Sequence, residues 1–121
     1  MSNILSKTLY LTEQEFFKTH INIINALLPN KLSPKEIDTL AVFMSFTGTL
    51  AGDKFCTSGK KIAKETLAIS YQQLWNLLSS LKKKGSIIEN SNGKLDILPI
   101  LFPKSRIEQQ YNIKLYVNIT N

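Results

Sequence analysis

Two amphipathic helical runs abut between residues 57 and 85 with only Ala68-Ile69 between them, and this junction constrains the chain more than any other feature. The first run begins near Thr57 or Ser58 and carries Ile62, Ala63 and Leu67; the second places Leu74, Leu77, Leu78 and Leu81 on one stripe. Helices joined by so short a turn cannot lie apart and must cross against each other. Ala63 is small enough for a close crossing, Ile69 plugs the turn, and Ser70 caps the second helix and leaves its first turn free. Lys82-Lys83-Lys84-Gly85 then ends it, with cations at the negative end of the helix dipole and glycine for a left-handed cap.

Two earlier start signals predict two more helices. Thr12-Glu13-Gln14-Glu15 is a capping box, and Phe16, Phe17, Ile21, Ile24, Leu27 and Leu28 follow at helical spacing until Pro29-Asn30. Ser33-Pro34-Lys35-Glu36 combines an N-cap serine, proline at the first helical position and glutamate at the third. That helix carries Ile37, Leu40, Ala41, Phe43 and Met44 towards a core and is expected to end near Gly48.

Strand signals are shorter. Ser86 to Asn90 and Lys94 to Leu98 flank Ser91-Asn92-Gly93, whose Asn-Gly supplies positive backbone angles for a tight hairpin. Within the polar stretch 47–59, Lys54-Phe55-Cys56-Thr57 is expected to pair briefly as a strand. Thr8 to Leu11 and Lys114 to Ile119 also look like strands, and pair plausibly with each other. Pro99 and Pro103 bracket a short apolar link. One domain over 1–121 is the expectation for this length, mainly α with a small β component.

The inventory of side chains argues against catalysis. Cys56 and His20 are each the only residue of their type, which removes an internal disulfide, a thiolate cluster and most histidine chemistry. There is no glycine-rich phosphate loop, no metal-ligand spacing and no grouping of carboxylates with a plausible partner, so no enzyme, cofactor, metal or small-molecule ligand is expected. No apolar run is long enough for a bilayer, and residues 1–7 lack the order of a signal peptide, so a cytoplasmic protein is expected. Charge, by contrast, is concentrated. Lys54, Lys60, Lys61, Lys64, Lys82, Lys83 and Lys84 face one acid, Glu65, between residues 54 and 84, which accounts for the whole net charge of +6. Such a segment is either a solvated lysine face or a surface turned to a polyanion.

The run from Lys60 to Ile87, read as helix, tight turn with an apolar residue and serine, second helix, glycine and hairpin, resembles the winged helix-turn-helix family of DNA-binding domains. The resemblance extends over residues 33–98, with an extra N-terminal strand and helix at 8–29 and an extension at 99–121 that completes a terminal strand pair. It implies that the second helix is a recognition helix lying in the major groove of double-stranded DNA. By position, Tyr71, Gln72, Gln73 and Asn76 are then the base contacts, because Gln and Asn amides pair bidentately with adenine. Lys60, Lys61, Lys64, Ser79, Ser80, Lys82, Lys83, Lys84 and Lys94 fall to the phosphates.

Arg106 is the only arginine and lies outside the motif, so the commonest guanine contact is missing and an A/T bias or weak specificity is expected. Trp75 departs from the family's small or polar exposed positions; it either packs on the hairpin or the first helix, stacks on nucleic acid, or contacts a partner. Helix 12–28 either completes the core or pairs with its copy in a homodimer. His20 reads as a surface or boundary residue and Cys56 as a small strand hydrophobe. The resemblance implies sequence-preferring DNA binding, first as a small transcription regulator of phage or mobile-element type. A replication-initiation or packaging component, or a fold turned to protein contacts, stands beside it.

Overall fold

Three helices begin where a reciprocal cap satisfies the first free amides. Thr12 and Glu15, Ser33 and Glu36, and Ser70 and Gln73 each exchange side-chain and backbone hydrogen bonds across three residues. The computed structural model describes residues 7–105, 109–112 and 116–119. In chain order these form α1 (Glu13–Asn25), α2 (Pro34–Met44), a single turn α3 (Thr49–Gly52), α4 (Thr57–Leu67), α5 (Tyr71–Lys83), β1 (Ile87–Glu89) and β2 (Leu95–Ile97), followed by a 3₁₀ turn at Pro99–Leu101. The described residues are thus mainly helical, with one two-stranded antiparallel sheet in which Ile87 faces Ile97 and Glu89 faces Leu95. None of these helices is long and apolar enough to cross a membrane.

α2 is the axis of the core. Ile37, Leu40, Ala41, Val42, Phe43 and Met44 are all buried, because α1 covers one side and α4 and α5 the other. Phe17 and Ile21 from α1, Ala63 from α4, Leu74, Leu78 and Leu81 from α5, and Ile87 and Ile97 from the hairpin close around it. Each large apolar side chain so enclosed contributes about 1.5–3 kcal/mol relative to exposure. Of the two roles expected for helix 12–28, core completion is therefore fulfilled within the chain. Leu27, at its end, stays outside.

Several expectations need correction. Residues 8–11 form no strand: Leu9 and Tyr10 stand in solvent, Tyr10 at 93% exposure, and no described strand lies beside them. Strand preference without a paired neighbour and a buried face does not make a strand. On the other side of that expected pair, 114 and 115 lie outside the described residues, and Tyr116, Val117 and Ile119 are exposed without strand structure. Residues 54–57 also form no strand. Phe55 instead dives into the core to stack on Phe43 at 4.4 Å, the amide of Cys56 donates to the carbonyl of Asp53, and α4 starts at Thr57. Cys56 is consequently no strand residue but the N-cap of α4, its Sγ accepting from the Gly59 amide at 3.3 Å.

α2 stops at Met44 rather than near Gly48, its last turn closed by Ser45, whose Oγ donates to the Val42 carbonyl. The hairpin turn uses one positive φ, at Gly93 (76°), not two: Asn92 keeps a negative φ, and the Asn90 carboxamide accepts from the amides of Asn92 and Lys94. This is the three-residue loop with a left-handed residue at its end. His20, expected as a surface or boundary residue, is buried at 6% exposure, and its Nδ1 is hydrogen-bonded to the Tyr111 hydroxyl.

Candidate nucleic-acid interface

The α4–α5 junction is set by one backbone position. Ala68 adopts a left-handed conformation (φ 54°, ψ 48°), and its amide and that of Ile69 return to the carbonyls of Glu65 and Lys64. The chain thereby reverses in two residues, and Ser70 caps α5 at once. At the far end Ser86 donates to the Leu81 carbonyl across Gly85, and Leu98 donates back to Ser86, which ties the hairpin base to α5.

With Leu74, Leu78 and Leu81 turned inward, α5 shows Tyr71, Gln72, Trp75, Asn76, Ser79, Lys82 and Lys83 to solvent. These positions follow one another at spacings of three and four, so they form one face. Its amides are partly engaged. Gln72 Nε2 donates to Asn76 Oδ1 at 3.1 Å, leaving Gln72 Oε1 as an acceptor and the Asn76 amino group as a donor. Gln73 is drawn aside: its Oε1 accepts from the Ser70 amide at 2.9 Å in the cap, so it serves the helix start before any ligand.

The expected phosphate contacts divide. Lys61, Lys82 and Lys83 are exposed and form no ion pair among the described residues, while Lys60 and Lys64 are half-buried on the side of α4 that meets α5. The Lys64 ammonium lies 4.8 Å from the centre of the Tyr71 ring, a cation–π contact between the helices. Lys94 reaches Asp53 at 3.6 Å. Ser80 and Lys84 face the other way: the Ser80 hydroxyl donates to Glu36 Oε2 at 2.7 Å, and the Lys84 ammonium to Glu36 Oε1 at 2.6 Å and the Lys31 carbonyl at 2.8 Å. Both are removed from the phosphate set because a buried carboxylate on α2 holds them.

Glu36 had no expected role beyond the α2 cap. It is 3% exposed, and burial alone would raise its carboxyl; the Lys84 ammonium, the Ser33 amide and the Ser80 hydroxyl outweigh that and hold it at about 2. Nothing local in the sequence announces a contact from Glu36 to residues 44 and 48 positions away.

Trp75, for which packing on the hairpin or the first helix was one expectation, stands largely in solvent. It is 63% exposed and, with Tyr71, Leu78 and Gln72 of α5 and Thr57 and Lys60 of α4, lines an open groove of about 430 Å³. The signal for it was the aromatic pair at positions 71 and 75, four apart and outside the leucine stripe. Arg106 lies outside the described residues. No family model, curated protein or solved structure matches this chain.

Proposed function

We propose that this chain is a winged helix-turn-helix domain that binds double-stranded DNA with α5 as the reading helix and the β1–β2 hairpin as the wing. The observation that carries the proposal is the outward face of α5. Its amide pair Gln72–Asn76 is open to a base edge and runs at helical spacing into Ser79, Lys82 and Lys83, with no acid on that face. Lys60, Lys61 and Lys64 on the adjoining helix extend the cationic surface. Point charges of this kind supply affinity through phosphates, whereas the amides supply preference. A small regulator of phage or mobile-element type in the cytoplasm is the role that best suits a domain of this size and charge.

The test is a titration on duplex DNA across salt concentrations. Five phosphate contacts, from Lys60, Lys61, Lys64, Lys82 and Lys83, predict a slope of log affinity on log salt of about −4.5, at roughly −0.9 per contact. Lys82→Ala with Lys83→Ala is expected to flatten it to about −2.7 while leaving the melting temperature in place. An unchanged slope in the double variant refutes the assignment. The exposed Trp75 beside its groove favours a second reading, an interaction module for another protein, whose mark is weak and salt-insensitive DNA binding.

A further inference from the structure

The groove between α4 and α5 holds features that duplex docking does not use. Its floor is apolar, from Leu74 and Leu78, and its walls carry two aromatic rings on consecutive turns of α5, Tyr71 at 55% and Trp75 at 63% exposure. Exposing two aromatic faces side by side forfeits burial that either ring would gain under a ligand. The Lys64 ammonium over Tyr71 fixes one ring, and Lys60, Thr57 and Gln72 place polar groups at the margin. Among the described residues no acid lines the groove, and Lys61 stands exposed on the same helix as Lys60.

A flat ring with polar edges, attached to an anionic chain, complements such a site on every count: apolar floor, aromatic walls, hydrogen-bonding margin and positive surroundings. Its volume of about 430 Å³ lies within the range of small-ligand sites. Inside a duplex the faces of the bases are covered by their neighbours. Away from its ends, a duplex offers a base face to an aromatic side chain only where a base has left the stack.

We infer that the Tyr71–Trp75 groove receives one unpaired nucleobase, so that the domain prefers duplex DNA carrying a single-stranded end over blunt duplex. The inference rests on the DNA-binding reading above and adds a second, structure-selective element to it. Lys60 meets the phosphate of the captured nucleotide, and Trp75 stacks on its base.

Trp75 is the only tryptophan in the chain, so tryptophan fluorescence reports on this one side chain at the groove. The experiment titrates the full chain with a fluorescently labelled blunt duplex and with the same duplex bearing a short thymidine tail. It follows label anisotropy for binding and Trp75 emission for stacking. The expected result is quenching by the tailed duplex only, with affinity roughly tenfold higher than for blunt duplex. Trp75→Ala should abolish that preference, so that the variant binds tailed and blunt duplex equally, and should keep the wild-type melting temperature, since the side chain is mostly exposed.

Equal affinity for both duplexes without quenching overturns the groove inference and leaves duplex binding standing. Quenching and binding by the tailed DNA alone, with blunt duplex unbound, keeps the groove and overturns the duplex reading. Binding to neither overturns both, and a Trp75→Ala variant that keeps the preference refutes the stacking role.

Discussion

Replacing Glu36 by Gln isolates what one buried negative charge does for the packing of α5 on α2. The carboxylate accepts from the Ser33 amide at 2.8 Å, the Ser80 hydroxyl at 2.7 Å and the Lys84 ammonium at 2.6 Å. A carboxyl held at about 2 instead of its ordinary 4.5 contributes roughly 3–4 kcal/mol at neutral pH, at about 1.4 kcal/mol per tenfold change in proton affinity. Because the folded state binds this proton more weakly than the unfolded state, the contribution is fully present above 4.5 and fades as pH falls towards 2. Glu36→Gln keeps the shape and removes the charge, so melts at neutral pH should show a loss of roughly 3–4 kcal/mol in urea, or about 12–16 °C in melting temperature. The gap between the two proteins should then shrink steadily below pH 4.5. A gap that stays constant across that range refutes the reasoning, since it would mean that packing alone, not ionisation, carries the difference.

Other expectations are equally direct. Gly59→Ala should cost about 1–3 kcal/mol in thermal or urea melts, because a Cβ there would meet the Lys54 carbonyl oxygen at 2.0 Å. Ala68→Gly should raise stability by up to about 1 kcal/mol, since it relieves a left-handed alanine at φ 54°; an unchanged or lower melting point would contradict that account. Burial lowers the His20 pKa below its ordinary 6.5, with the Leu101 backbone opposing, so the neutral ring is the folded form. As the only histidine in the chain, it should titrate by proton NMR with a midpoint below 6.5, and stability should fall as pH drops below that value. A midpoint at or above it would argue against a desolvated ring.

What could be read from the sequence was what neighbouring residues decide among themselves. The caps at Thr12, Ser33 and Ser70 all form, and at Ser70 the structure adds a return bond from Gln73 that was not read from the sequence. The Ala68-Ile69 reversal, the leucine stripe of α5 and the hairpin after Gly85 are similarly local and were legible. What escaped depends on partners remote in the chain. His20 meets Tyr111 across 91 positions, and Glu36 gathers Ser80 and Lys84 from another helix. Lys54 to Thr57 looked like a strand, but Phe55 found the ring of Phe43, and tertiary packing overrode local preference. Trp75 and Tyr71 were visible as an oddity on the exposed face, while the groove they make with Thr57 and Lys60 exists only once α4 is laid against α5.

The cap that opens α5 limits how this surface can diversify. Because the Gln73 carboxamide closes the box with Ser70, most substitutions at 73 surrender part of a helix start worth about 0.5–2 kcal/mol, whatever they do for a ligand. Gln72 and Asn76 carry no such burden, their side chains being bonded only to each other among the described residues. Variants of this domain with altered preference are therefore expected to differ first at 72 and 76, changing together, with 73 held back by the architecture it supports.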